Sequence, residues 1–430
     1  MIRVTEFSKE NTVGQTMAEK ILSAHSGSQA RAGDLVIAEL DYVMAGDAKG
    51  PKAVDIFREA GFAFRMDPKK TDFIIDHFVP AQDVLWANHH RKLRIFGEEH
   101  GVEVFEPGAG VCHTVVTEEG RVGPGALTVG GDSHVCTYGA LGAMGVAVES
   151  VEIASAYATG KLWFKTPESV RVEFTGALAH GVFSKDMELT LAREMGENGA
   201  NYMAVEYGGA ALADLSMDAR FTIANMSVDM GAKTGIMEVD EKALDWARAH
   251  GAPVDGAVAP DEDAVYARRI HLDISGLTPV VAAPPATGNA HPVEEYAGLP
   301  VQQAFVGTCT NGRLEDIEIA ASIVRGRKIA PGVRFYVAPT SKKIYEAAAA
   351  SGAIGALAEA GAAVLTAACG PCASMTGNGC LADGERAISS ANRNFPGRLG
   401  SKEAEIYLGS PATVAASAVT GRITDPREFL

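Results

Sequence analysis

Three cysteines set the chemical question: Cys309 in Val306-Gly-Thr-Cys-Thr-Asn311, and Cys369 with Cys372 in Ala368-Cys-Gly-Pro-Cys372. A closed iron–sulfur or zinc site takes four protein ligands. Three ligands leave one metal position open to water or substrate, and an open metal is a Lewis acid. On the residues alone both readings stand. With Cys380 the trio becomes a closed zinc or electron-transfer site; without it, a catalytic one. A lone Cys-x-x-Cys also reads as a redox pair or half a zinc site. Cys112 and Cys136 read as small buried apolar groups.

Charged residues recur in short clusters. Asp76-His77 sets a carboxylate beside an imidazole, a pair that serves acid–base chemistry but is more often structural. Asp132-Ser133-His134 follows a Gly-Gly turn, where an Asx turn and helix cap would do equally well. His113 alone reads as a buried, hydrogen-bonded core residue. Asn225 and Asp229, four apart, share one face of any helix formed there. Arg393 and Arg398 would ordinarily be a solvated basic turn, although a planar guanidinium suits two-point carboxylate recognition.

These residues sit at the ends of predicted strands. Leu127–Gly131 and Ala304–Val306 are β-rich runs that end in glycine turns, just before Asp132 and Cys309. Val333–Val337 is followed by Thr340 and Ser341, either of which suits the cap of a helix starting at Lys342. Alternation of such runs with helical patterns predicts an α/β fold with parallel sheets. The proline-rich stretch Leu277–Pro292 reads as a linker. The expected division is three α/β units, 1–166, 167–290 and 291–430. Gly139, Gly142 and Gly145 fit no nucleotide-loop spacing and are expected to serve close helix packing.

At 430 residues the chain exceeds one ordinary core. Its net charge of −16 excludes nucleic acid or an anionic membrane as the main partner. A local basic cleft for a small polycarboxylate is compatible with that charge. Six scattered cysteines do not form a disulfide framework, no run of 18 apolar residues occurs, and Met1–His25 lacks a signal-peptide core. A cytoplasmic setting is expected.

Together, Gly131-Asp-Ser-His134, Gly307-Thr-Cys-Thr-Asn-Gly-Arg313, Ala368-Cys-Gly-Pro-Cys372 and Asn392-Arg-Asn-Phe-Pro-Gly-Arg398 resemble the aconitase superfamily, in the order found there. The resemblance covers essentially the whole chain. It is strongest to the large subunits of 3-isopropylmalate dehydratase and homoaconitase-like enzymes, whose tail Tyr407–Ala418 also resembles. It implies three α/β units around a [4Fe–4S] cluster held by Cys309, Cys369 and Cys372, with one open iron. The implied activity is a hydro-lyase that isomerises a 2-hydroxy di- or tricarboxylate by dehydration and rehydration. The best match is 3-isopropylmalate, with homoaconitate-type or 2,3-dimethylmalate-type acids as alternatives.

By the same resemblance Asp76 and His77 handle the departing hydroxyl. His113, Asp132, Ser133, His134 and Asp229 sit at the active site, Arg393, Arg398, Asn225 and Asp47 bind substrate, and Asn311 and Asn392 surround the cluster. A swivelling domain supplies a serine base and a further arginine. Because the chain ends at Leu430, that domain is expected as a separate small subunit. The acidic balance argues against the RNA binding of some relatives. The chain departs from the family pattern at Gly46, Tyr138, Asp229 (normally glutamate) and Ala373-Ser374, none of them a cluster ligand.

Overall fold

The computed structural model describes residues 3–6, 14–372 and 378–430; Ala373 and Ser374 lie outside them. Three larger sheets and one two-stranded ribbon form the framework. Each larger sheet has its own apolar core, including a cluster where Phe57, Phe73 and Tyr157 surround Phe96. No helix among the described residues is long and apolar enough to cross a membrane.

The first sheet is wholly parallel, in the order Glu103–Phe105, Thr71–Ile74, Tyr42–Gly46, Leu127–Gly130, Met144–Ala147. The chain winds outward from Tyr42–Gly46 in one direction, then returns to start at Leu127–Gly130 in the other. A doubly wound sheet opens a crevice beyond the carboxyl ends of the strands where the order reverses. Asp47 and Asp132 follow those two strands, and Asp76 follows the neighbouring Thr71–Ile74.

The third sheet repeats this logic. Its parallel strands run in the order Glu405–Leu408, Arg386–Ser389, Gln303–Val306, Arg334–Val337, Ala363–Val364. The reversal falls between Gln303–Val306 and Arg386–Ser389, whose carboxyl ends lead into Cys309 and Asn392-Arg393. The helix Lys342–Ala350 starts as expected, with Ser341 Oγ accepting from Ile344 N–H at 3.1 Å.

Two features depart from the expected division. The supposed linker holds two antiparallel strands, Val280–Ala282 and Ala290–Pro292, which extend the third sheet through Ala282 and Leu408. Pro279 precedes the first strand, Pro284 and Pro285 sit in the connecting turn and Pro292 ends the edge strand, positions where a missing N–H costs no ladder bond. In addition, Arg3–Glu6 crosses over to pair antiparallel with Arg268–Asp273 in the second sheet, Arg3–Glu6, Arg268–Asp273, Ser169–Thr175, Ala204–Gly208, Thr234–Met237. The glycine reading holds: a Cβ on Gly139 would lie 1.5 Å from the Gly235 carbonyl oxygen, and one on Gly145 2.2 Å from that of Val135.

Candidate active site

Backbone bonds pull the loops of the first and third sheets together. Cys369 N–H donates to the Asp76 carbonyl at 2.9 Å, and Val111 N–H to that of Thr340 at 2.7 Å. The chains approach so closely that a Cβ on Gly110 would sit 2.5 Å from the Thr340 oxygen. In the Cys309 loop, Gly307 bridges to Asn311 and Thr308 adopts a left-handed φ of 71°. Such a conformation is costly for a β-branched residue and persists only when its surroundings fix it. Here Thr308 Oγ1 accepts from Thr310 N–H at 3.2 Å.

The loops enclose a cavity of about 220 Å³. Of the residues singled out from sequence, His77, His113, Asp132, Ser133, His134, Cys309, Cys369, Cys372, Asn392, Arg393 and Arg398 line it. Thus residues scattered over more than three hundred positions meet at one wall.

Cys309, Cys369 and Cys372 are buried free thiols, and the buried Cys112 also lines the cavity. Burial pushes the Cys309 thiol up from its ordinary pKa. A hydrogen bond from Cys369 favours the Cys372 thiolate, and the Arg398 guanidinium adds to it. Two N–H donors point at sulfur: Arg398 Nη2 lies 3.1 Å from Cys372 Sγ, and Asn392 Nδ2 lies 3.7 Å from Cys309 Sγ. Donors of this kind stabilise metal-bound thiolates. Cys380, by contrast, is exposed and does not line the cavity. The cavity's sulfur donors therefore fit an iron–sulfur cluster, and Cys380 is not among them.

Asp132 joins the histidines. Its Oδ1 accepts from His113 Nε2 and from His134 N–H, both at 2.8 Å, while Oδ2 stands 3.4 Å from His77 Nε2. The His134 contact is the helix-cap bond expected after the Gly-Gly turn, so capping and site assembly coincide. Burial opposes charge on Asp132, but His113, His134 and His77 outweigh it and hold its carboxyl well below the ordinary range. Burial also disfavours the His77 imidazolium; Asp76 and Asp132 override it and raise that pKa well above the usual value. Asp76 Oδ1 is 2.7 Å from His77 Nδ1, and its Oδ2 accepts from Cys112 N–H at 2.8 Å. This fixes the ring orientation, with Nδ1 toward Asp76 and Nε2 on the side of Asp132.

Arg393 Nε donates to Asp229 Oδ1 at 2.7 Å and Nη1 to Ser133 Oγ at 3.3 Å. Asp229 Oδ2 and His134 Nε2 face each other at 3.5 Å, neither with a hydrogen-bond partner. The short Asp229 side chain thus reaches the cavity only through Arg393 and His134.

Besides Asp76 and Asp229, three further expected site residues lie behind the lining. Asp47 is wholly buried and accepts from the backbone N–H groups of His77 and Phe78 at 3.1 and 3.0 Å, and from His90 Nε2 at 3.1 Å. It shapes the Asp76-His77 loop. Asn225 spends its amide on the hydroxyls of Thr137 and Thr310, both at 2.7 Å. Asn311 donates to Asp316 and Thr222, which turns its N–H groups away from the sulfurs. Lys49, also on the wall, went unmarked in the sequence because a lone lysine after Asp47 carries no spacing signal. Tyr138 is buried with its ring edge-on to His113, 5.9 Å between centroids.

Comparison with known proteins agrees with this geometry. The family profile described as Aconitase family (aconitate hydratase) matches residues 19–298 and 286–421. Large subunit 1 of 3-isopropylmalate dehydratase from Methanopyrus kandleri is 46% identical over 420 residues, covering 97% of this chain and 100% of that protein. Large subunit 2 from Archaeoglobus fulgidus is 45% identical, with the same coverage of each. Among solved structures, Thermococcus kodakaraensis aconitase X in its holo form superposes with a TM-score of 0.51 at 13% identity. That match covers 87% of this chain and 88% of the other, and it shows a shared fold. The family's chemistry implies an iron–sulfur cluster, the sulfur-lined cavity fits one, and the chain belongs to the aconitase family.

Proposed function

We propose that this chain is the cluster-binding large subunit of a hydro-lyase of the 3-isopropylmalate dehydratase type, with Cys309, Cys369 and Cys372 holding a [4Fe–4S] cluster. The observation that carries this reading is the meeting of the Cys309, Cys369 and Cys372 thiols, two arginines and His77, backed by Asp76, in one small cavity. When bound, such a cluster, with one iron free of protein ligands, supplies a Lewis acid for the substrate hydroxyl and carboxylate.

The protein groups supply the rest. Arg393 and Arg398 bind carboxylates; Arg398 Nε has no hydrogen-bond partner among the described residues, so it retains a donor for substrate. Asp76 and Asp132 raise the His77 pKa and so favour its protonated form, which presents a proton at Nε2. In dehydration the carbon–oxygen bond breaks and the hydroxyl leaves with the His77 proton as water. A base takes a proton from the adjacent carbon, whose electron pair becomes the double bond. Asp132, kept anionic by His113 and His134, steadies the imidazolium before transfer. Asp47 and Asn225, behind the wall, support substrate binding by fixing the loops.

The base and one further arginine are assigned to a small swivelling-domain partner, by the resemblance noted above. The relatives' names as large subunits support a second subunit. The five buried free thiols support a reducing, cytoplasmic setting. The test is anaerobic cluster reconstitution with that small subunit, following alkene absorbance from 3-isopropylmalate, homocitrate and 2,3-dimethylmalate in turn. Turnover of 3-isopropylmalate is expected. Absence of alkene from every acid contradicts the reading, and full-rate turnover by the large chain alone contradicts the need for a partner.

A further inference from the structure

A cation outside every motif sits beneath the site. Lys185, near the start of the helix Ser184–Met195, is wholly buried. Its Nζ donates to the carbonyl oxygens of Ala391 at 2.7 Å and Ser390 at 3.1 Å, and lies 3.3 Å from Met226 Sδ. These acceptors match the three N–H bonds of an ammonium, and none is a carboxylate. Glu188, one turn along, is also buried, yet neither of its oxygens has a hydrogen-bond partner. The ammonium is therefore committed to two peptide carbonyls 205 and 206 positions away rather than to a nearby acid.

Those carbonyls occupy a sensitive place. Ser390 and Ala391 lie between the strand Arg386–Ser389 and the pair Asn392-Arg393. The last backbone bond to Gln303–Val306 is from Ser390 N–H to the Phe305 carbonyl at 2.9 Å, so the Ser390 and Ala391 carbonyls lie beyond the ladder. Ser390 Oγ also accepts from Gly307 N–H at 3.2 Å and donates to the Asn311 carbonyl at 3.3 Å. One short segment thus touches the Cys309 loop and feeds both Asn392, aimed at sulfur, and Arg393, aimed into the cavity.

We propose that Lys185 is a positioning residue: from a helix of the second sheet it clamps the two carbonyls ahead of Asn392 and Arg393 and so sets where both side chains enter the site. A buried ammonium is tolerated only with its donors satisfied, and here the acceptors that satisfy it belong to the loop it holds. The inference rests on the carboxylate-binding role proposed for Arg393.

The test uses the reconstituted two-subunit enzyme with Lys185→Met, Lys185→Gln, Glu188→Gln and Arg393→Lys. Lys185→Met should raise KM about tenfold with little change in kcat or iron content, and Lys185→Gln, which keeps two N–H donors on a shorter side chain, should fall between it and wild type. In the chain alone, amide hydrogen exchange should quicken in a peptide spanning 389–394 for both Lys185 variants and stay unchanged for Glu188→Gln. Unchanged exchange there overturns the clamp, whatever the kinetics, and the Gln variant decides should the Met variant fail to fold. If Arg393→Lys raises KM while Lys185→Met does not, this inference fails alone. If Arg393→Lys leaves KM unchanged, the functional reading of that arginine fails instead.

Discussion

The amide N–H of Cys369 donates to the carbonyl oxygen of Asp76 at 2.9 Å, which bonds the loop bearing two cavity thiols to the loop bearing the acid pair. The contact uses only backbone, so the Asp76 side chain can be changed without removing it. Asp76→Asn keeps an acceptor for Cys112 N–H but loses the charge that raises the His77 pKa. Iron content should persist while kcat falls by about 10² to 10⁴, the usual span for a lost acid–base partner. Iron analysis beside steady-state kinetics checks both halves; loss of iron would make Asp76 a scaffold for the thiols instead.

Asp132 predicts a shift in pH dependence. His77 must carry its proton to assist departure of the hydroxyl, so the dehydration rate falls as pH rises through its raised pKa. Asp132→Asn removes one of the charges that raise it, after Asp76. The alkaline limb of the kcat profile should move to lower pH. A limb that stays in place would assign that titration to another group.

Arg398 has two roles that separate experimentally. Its Nη2 touches Cys372 Sγ and its Nε is unpartnered. Arg398→Lys keeps the charge but loses the planar fork, which costs about 1.5–3 kcal/mol for a hydrogen bond to a charged group. KM should rise about 10- to 100-fold, and the visible absorption of the bound cluster should shift. Kinetics and spectra of one preparation measure both.

Far from the site, His25 Nε2 lies 2.6 Å from Asp41 Oδ2. Burial opposes the His25 charge, but Asp41 and the Ile21 carbonyl raise its pKa above the ordinary value. A raised histidine stabilises the fold fully below its unfolded pKa of about 6.5, and that stability is lost as pH rises through the folded value. Asp41→Asn should therefore cost about 0.5 kcal/mol at pH 6, discounted for partial exposure. The deficit should fade in mildly alkaline solution, as thermal denaturation across pH would show.

Much of the site was readable because its residues follow strands. Cys309 and Asp132 each come just after a β-rich run, and the order reversals of two sheets bring those ends together. The hairpin at Val280–Pro292 was hidden by its prolines, which mimic a linker while occupying a turn and an edge. The crossing of Arg3–Glu6 to the second sheet is a long-range pairing with no local signature. Asp47, Asn225 and Asn311 share the cavity's neighbourhood in sequence, but which way a side chain turns depends on partners such as His90, Thr137 and Asp316. Lys185 looks like any helical lysine until its depth is seen.

The cluster's ligand set tests the central claim most directly. Iron and sulfide would be measured, with Mössbauer spectra, on anaerobically reconstituted chains carrying Cys380→Ala or Cys309→Ser. The account predicts about four irons and four sulfides in the Cys380→Ala chain, with one iron spectroscopically distinct and perturbed by substrate, and loss of the cluster in the Cys309→Ser chain. Iron lost on removing Cys380, or stoichiometric zinc in its place, would contradict it.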